Sequence, residues 1–139
     1  MLIEFLNGMN FRAIEITGFF RIVMVWNSGV SFGMLNTGEE TTRWLLTVLA
    51  VGISIGLVFW LRQMNKRLQV IAIGLVIGGA LGNAIDRVRY GAVADFFDLH
   101  VAGYSWPAFN VADAGITVGV LLLLLDAIMT PRNPGKTKT

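Results

Sequence analysis

Three long apolar stretches leave this chain little freedom in how it can fold. Residues 44–61, WLLTVLAVGISIGLVFWL, are eighteen uncharged and mostly apolar residues with Trp44 and Trp60 near the two ends. As a helix rising about 1.5 Å per residue they reach roughly 27 Å, enough for a hydrocarbon core, and the tryptophans fit interfacial anchors. A second stretch covers about residues 68–87, with Gly74, Gly78 and Gly82 at four-residue spacing. A third, VADAGITVGVLLLLLDAIM, covers about 111–129 and stops before Pro131. Such glycines weaken a helix in water, but in lipid they let neighbouring backbones approach closely. The expected fold class is an all-α polytopic membrane protein with three transmembrane helices in this chain. Its 139 residues leave room for a single membrane-embedded domain, with function confined to helix ends and connections.

Composition agrees, with 55% hydrophobic residues, 14% charged residues and a mean hydropathy of +0.66, far from a soluble globular average. The chain has no cysteine, which excludes thiol nucleophiles, disulfides and cysteine metal sites. A net charge of +2 gives no reason to expect a nucleic-acid partner. The opening MLIEFLNGMNFRAIEITG carries Glu4, Arg12 and Glu15 and lacks the apolar core of a cleavable signal peptide. Orientation follows from the basic residues, which favour the cytoplasmic ends of membrane helices. Arg62, Lys66 and Arg67 join the first two spans, and the tail 131–139 holds Arg132, Lys136 and Lys138. Both are expected in the cytoplasm, which places residues 1–42 and 88–110 outside it. Within the first of these, Gly18–Leu35 (GFFRIVMVWNSGVSFGML) sets bulky β-formers around an Asn-Ser-Gly turn signal, so a small extracytoplasmic β hairpin or half-buried sheet is expected.

On this topology three polar clusters meet at the outer face: Asn27 and Gly29 in the turn; Asn83, Asp86 and Arg87 at the end of the second span; and Asp95, Asp98, Asn110 and Asp113 around the start of the third. Ionisable residues at a membrane edge are costly and by default mark a site. Asn83, Asp86 and Arg87 share one helix face. A plainer reading makes Asn110 a helix N-cap with Asp113 at the third helical position. Arg87 near a helix C-terminus is likewise favourable on dipole grounds, whereas Asp86 there needs a partner. A Ser-Lys dyad fails on topology, because Lys66, Lys136 and Lys138 lie at the opposite side. A triad of Ser105, His100 and Asp98 would fall within one short connection. Asp95, Asp98 and His100 are metal-ligand types, but one histidine without a repeated ligand pattern does not make a metal site, and no metal or cofactor is expected. There remain Asp95 and Asp113, eighteen positions apart across a folded-back connection. Two carboxyls held close share a proton, so one can activate water while the other acts as acid.

The strings WNSGVSFG (Trp26–Gly33), GGALGNAIDR (Gly78–Arg87), GAVADFFD (Gly91–Asp98) and PAFNVADAGI (Pro107–Ile116) resemble the ordered motifs of the lipoprotein signal peptidases, also called signal peptidase II, over about residues 18–130. The resemblance implies a membrane aspartic endopeptidase that removes signal peptides from diacylglyceryl-modified bacterial prolipoproteins, cutting just before the lipidated cysteine. By residue match the catalytic aspartates are Asp95 and Asp113. Asn27, Gly29, Asn83, Asp86, Arg87 and Asn110 line and support the active site. It also implies a multi-pass protein of the bacterial inner membrane, acting as a monomer, with its site near the extracytoplasmic face.

Two departures from the family pattern stand out. Ala114 and Gly115 follow Asp113 where members commonly have Ser-Ala, which loses one hydroxyl but leaves both carboxyls. Members also have four spans, the first starting in the cytoplasm, and no such helix is legible before Gly18, so three of the four are expected here. Competing readings are a truncated, inactive homologue and a non-enzymatic proton-linked transporter subunit. The latter fits less well, because transport sites lie near the bilayer midplane, often between inverted repeats. Reporter fusions test the topology. Those after Asn65 and Lys136 should read cytoplasmic and one after Gly103 extracytoplasmic; a cytoplasmic signal at Gly103 would place the aspartates on the wrong side.

Overall fold

A computed structural model describes residues 13–29 and 39–130. Three helices carry the architecture: α1 (Glu39–Leu61), α2 (Arg67–Tyr90) and α3 (Val111–Met129), each long and apolar enough to cross a membrane. A small antiparallel sheet accompanies them, ordered β1 (Ile14–Thr17), β2 (Phe20–Asn27), β3 (Val93–Val101) and β4 (Tyr104–Ser105). α2 packs against both α1 and α3, and β3 follows α2 after a short corner at Gly91.

Burial is arranged for lipid rather than water. Val48, Leu49, Ile55, Phe59, Leu121 and Ile128 stay exposed on the helices, while the buried polar set includes Thr42, Thr47, Ser54, Asn83, Asp95 and Asn110. Hydroxyls inside the helices are satisfied locally: Thr47 donates to the Arg43 carbonyl and Ser54 to the Ala50 carbonyl, both at 2.8 Å. Lipid is as apolar as leucine, so helices associate through close packing of small residues. At Gly79 an added Cβ would collide with the Ala112 carbonyl and lie 2.6 Å from Ile116 Cγ1, and at Gly119 it would lie 2.7 Å from Val76 Cγ2. The contact line therefore runs through Gly79 and Gly119, with Gly82 against Ala112. The expected series of Gly74, Gly78 and Gly82 contributes only its last member, because Cβ atoms on Gly74 and Gly78 would meet nothing within 4 Å. A spacing of four drifts slowly around a 3.6-residue helix, and the sequence alone does not say which glycine faces the partner.

At the basic end, Lys66 Nζ donates to Asp126 Oδ1 at 3.0 Å and to Thr130 Oγ1 at 2.6 Å, and Gln69 Nε2 donates to Asp126 Oδ2 at 2.6 Å. These bonds fasten the start of α2 to the end of α3 and satisfy an aspartate within an apolar helix.

The β segment differs from its expected form in two ways. A hairpin turn lies at Gly18 and Phe19, between β1 and β2, ahead of the Asn27-Ser28-Gly29 signal. The latter is a turn closing β2, with Gly29 at φ +88° donating its N–H to Asn27 Oδ1 at 2.8 Å; residues 30–38, where the other expected arm falls, lie outside the described residues. The second difference is that residues 93–101, read only as a connection, form β3, the central partner of β2. Val93, Phe96, Phe97 and Val101 are strand formers bounded by Gly91 and Gly103, a signal that was present in the sequence. Ala102 and Gly103, with φ of 51° and 85°, turn β3 into β4.

Gly79→Ala is expected to force α2 and α3 apart and lower stability by about 1–3 kcal/mol, measured by thermal unfolding in detergent. Gly74→Ala should be neutral or stabilising. Equal effects at the two positions would refute the packing assignment.

Candidate active site

The corner between α2, β3 and α3, with the end of β2, gathers seven of the eight residues expected at the site into one hydrogen-bonded chain. It begins with α3. Asn110, extended at φ −123° and ψ −178°, is the N-cap, and its Oδ1 accepts from the Asp113 N–H at 3.0 Å. Asp113 answers by accepting the Asn110 N–H on Oδ2 at 3.1 Å, which closes a reciprocal capping box. The capping role anticipated for these two residues is thus real, and it coexists with a second one. Because the oxygen of Asn110 holds the helix, its Nδ2 points inward and donates both hydrogens, to Asp95 Oδ1 at 3.0 Å and to Asn83 Oδ1 at 3.1 Å. Asn83 is thereby oriented with Nδ2 toward Asp113 Oδ1, at 2.7 Å. On the far side, Asn27 Nδ2 donates to Asp95 Oδ2 at 3.0 Å, its own oxygen being held by Gly29.

All four carboxyl oxygens of Asp95 and Asp113 accordingly receive an N–H, and three asparagine amides are fixed in orientation by the donors on their oxygens. A bulge between Ile22 and Val25 sets the register that makes this work: Val25 pairs with Asp95 and Asn27 with Val93, so Asn27 and Asp95 are diagonal neighbours on one face of the sheet. Asp95, Asn110 and Asn83 are 2%, 4% and 9% exposed, so their polar atoms depend on one another rather than on water. Burial is the largest influence on Asp95 and raises its pKa above the usual aspartate value; Asp113 also raises it, while the hydrogen bonds from Asn27 and Asn110 and the charge of Arg87 pull it down.

Arg87 lies one helical turn beyond Asn83, with Nη1 3.4 Å from the Asn83 carbonyl, and its charge acts on Asp113, Asp95 and Asp86. Its buried Nε has no hydrogen-bond partner among the described residues. Asp86 is half-buried on the same helix but joins the cluster through no hydrogen bond among the described residues, so its link is the field of Arg87 alone. Each carboxyl also borders open space: a cleft of about 330 Å³ with Val25, Trp26, Asp95 and Pro107 in its wall, and one of about 420 Å³ with Leu99, Trp106, Asp113 and Val118.

The other acidic residue of β3 is turned elsewhere. Asp98 and His100 lie an odd number of positions from Asp95, on the opposite face of the strand. Asp98 Oδ2 accepts from Arg21 Nε at 2.8 Å and Nη2 at 2.7 Å, and Arg21 Nη2 lies 3.4 Å from Ser105 Oγ. Arg21 pairs directly across from Asp98 and so ties β2 to β3. Asp95 therefore does not share a face with Asp98 and His100, and no cluster of three or more histidine, cysteine, aspartate or glutamate residues that could hold a metal occurs among the described residues. Sequence reasoning passed over Arg21 because its partner lies 77 residues away.

The sequence model of the family described as Signal peptidase (SPase) II matches residues 2–129 of this chain. The chain is 53% identical over 114 residues to a protein of Methylobacterium radiotolerans named lipoprotein signal peptidase, covering 82% of this chain and 67% of that one. It is 50% identical over 121 residues to the protein of that name from Methylorubrum extorquens, covering 86% and 71% respectively. Among solved structures, a bacterial membrane enzyme determined at 2.3 Å superimposes with a TM-score of 0.77 at 29% identity, over 99% of this chain and 85% of that one; another, at 1.9 Å, gives 0.76 at 31% identity, over 94% and 85%.

The raised pKa of Asp95 makes a stability prediction. The folded state holds this proton more tightly than the unfolded state. Its contribution is fully present below the ordinary aspartate value of about 4 and is lost as pH rises through the elevated folded value. The melting temperature of the wild type should therefore fall relative to that of Asp95→Asn across this window. Parallel melting curves for the two proteins would contradict it.

Proposed function

The chain belongs to the signal peptidase II family and is a multi-pass bacterial membrane peptidase, and from that premise we propose that it cleaves by an Asp95–Asp113 pair, acting on diacylglyceryl-modified prolipoproteins just before the lipidated cysteine. The observation that carries this reading is the pair of asparagines, Asn83 and Asn110, linking a carboxyl on β3 to one at the start of α3. The described elements act as one peptidase domain. In this reading the site faces the extracytoplasmic side, the C-terminus is cytoplasmic, and the enzyme works as a monomer in contact with lipid.

The chemistry assigns the shared proton to Asp95. Burial and the neighbouring Asp113 both favour its neutral form. Asp113 accepts from uncharged amides and feels the Arg87 charge, and it serves as the base. Water attacks the scissile carbonyl carbon as its proton passes to Asp113, and Asp95 gives its proton to the carbonyl oxygen. The tetrahedral intermediate collapses as the C–N bond breaks: Asp113 protonates the leaving nitrogen and the hydroxyl proton returns to Asp95, restoring both groups. Asn27 and Asn110 keep the Asp95 carboxyl at a fixed angle throughout. The bond lies where substrate residues emerging from the bilayer meet the clefts beside Asp95 and Asp113.

Asp95→Asn and Asp113→Asn should each abolish cleavage of a diacylglyceryl-modified prolipoprotein while the protein still inserts, since neither carboxyl supplies both acid and base. A rate within about tenfold of wild type for either variant would remove that aspartate from the mechanism. EDTA should leave the activity intact; inhibition restored by zinc would favour a metal instead.

A further inference from the structure

The first turns of α1 touch the site from a side the mechanism does not use. Arg43 crosses to the end of α2, donating from Nε to the Arg87 carbonyl at 2.6 Å and from Nη2 to the Val88 carbonyl at 2.8 Å. A helix end has no N–H groups of its own for its last carbonyls. Here Gly91, left-handed at φ 84°, returns one N–H to the Arg87 carbonyl at 3.0 Å, and Arg43 adds donors to the Arg87 and Val88 carbonyls. It also sets a positive charge at the negative end of the α2 dipole. The guanidinium is held in turn by Trp44, with Cζ 5.0 Å from the ring centroid.

This clamp sits between the two halves of the site. Asn83 and Arg87 precede the corner on α2, and Asp95 follows it on β3. The same turn of α1 reaches the other support of Asp95. A Cβ on Gly29 would collide with Leu46 and lie 3.7 Å from Thr42 Cγ2, so α1 seats the turn whose N–H orients Asn27. Trp26 and Tyr90, with ring centroids 5.6 Å apart, brace β2 against the end of α2. Beside them lies a cleft of about 530 Å³ that Arg43 lines together with Gly91 and Ala92, a few residues from Asp95.

We propose that Arg43 is a positioning residue for the catalytic pair: by clamping the α2–β3 corner from α1 it holds Asn83 and Asp95 in register and keeps the Asp95 carboxyl, 2% exposed, packed within that corner. The role rests on the peptidase reading. Asp95 is faced by Asn27 from β2, Arg87 from α2, and Asn110 with Asp113 from the start of α3. Those groups remain when Arg43 is changed, so the effect reaches Asp95 through geometry and hydration.

The test is cleavage of a diacylglyceryl-modified prolipoprotein by the full chain in proteoliposomes across pH, with Arg43→Gln, Arg43→Lys and Asp95→Asn. Small misplacements of catalytic groups cost on the order of a hundredfold. Arg43→Gln should lower kcat by about tenfold to a hundredfold with KM within about threefold. The alkaline limb of its profile, set by loss of the Asp95 proton, should move to lower pH as water reaches the carboxyl. Arg43→Lys keeps the charge and one donor and should recover part of both. Wild-type kcat in Arg43→Gln, or a lowered kcat with an unmoved limb, overturns the proposal, the latter leaving only a structural role. If Arg43→Gln fails to insert, Arg43→Lys decides: an intermediate kcat with a partial shift of the limb supports the proposal, and wild-type values overturn it. An inert Asp95→Asn beside a fully active Arg43→Gln removes this proposal alone, whereas an active Asp95→Asn removes the peptidase reading beneath it.

Discussion

Both hydrogens of the Asn110 amide are committed inside the site, one to Asp95 and one to Asn83, while its oxygen holds the start of α3. Asn110 therefore connects secondary structure to chemistry. The helix start needs an acceptor, because its first N–H groups are unsatisfied, and asparagine provides one while leaving an NH₂ group to spare. Aspartate or serine would cap equally well, but neither could donate two hydrogen bonds in the required directions. The cap thus decides where Asp113 stands, and the remaining donors decide where Asp95 stands relative to it.

The use of neutral amides has an electrostatic consequence. Partnering each carboxyl with a lysine would favour the ionised form of both. Asparagine donors hold the oxygens in place without committing the charge, so burial can leave a proton on Asp95. Arg87 supplies a nearby positive field without an ion pair to either carboxyl among the described residues. The acid–base exchange proposed for this pair needs such a balance of fixed geometry and unfixed charge.

Placement depends on how the helices meet. With apolar side chains turned outward, little but close approach sets the relative height of α2 and α3, and Gly79 against Ala112 brings it to backbone contact one turn below Asn83. The Lys66, Gln69 and Asp126 bonds fix the other end of the same pair. The sheet receives its own fastening from Arg21 and Asp98, on the face away from Asp95. Helix pair and sheet are then joined at Gly91, where error in either would be passed directly to the two carboxyls.

What the sequence determined by itself is what lipid and local geometry dictate. Uninterrupted apolar runs define three helices, because backbone polar groups in a bilayer must be satisfied within the helix. Asn110 and Asp113, three residues apart, spell a helix start wherever they occur. The motifs around Asp95 and Asp113 singled out these two aspartates as the proposed catalytic pair. Tertiary structure alone decided which faces meet. It selected Gly79 over Gly78, placed the hairpin turn at Gly18 and Phe19, and paired residues 93–101, whose strand signal the sequence carries, with β2. It left Asp86 outside the hydrogen-bonded chain, sent Asp98 to Arg21, and brought Arg43 from α1 to the end of α2. Apart from the local β1–β2 hairpin, each of these depends on partners 40 or more residues apart or on a rotation of a fraction of a helical turn. Periodicity records which residues share a face, but it carries no term for what that face will touch.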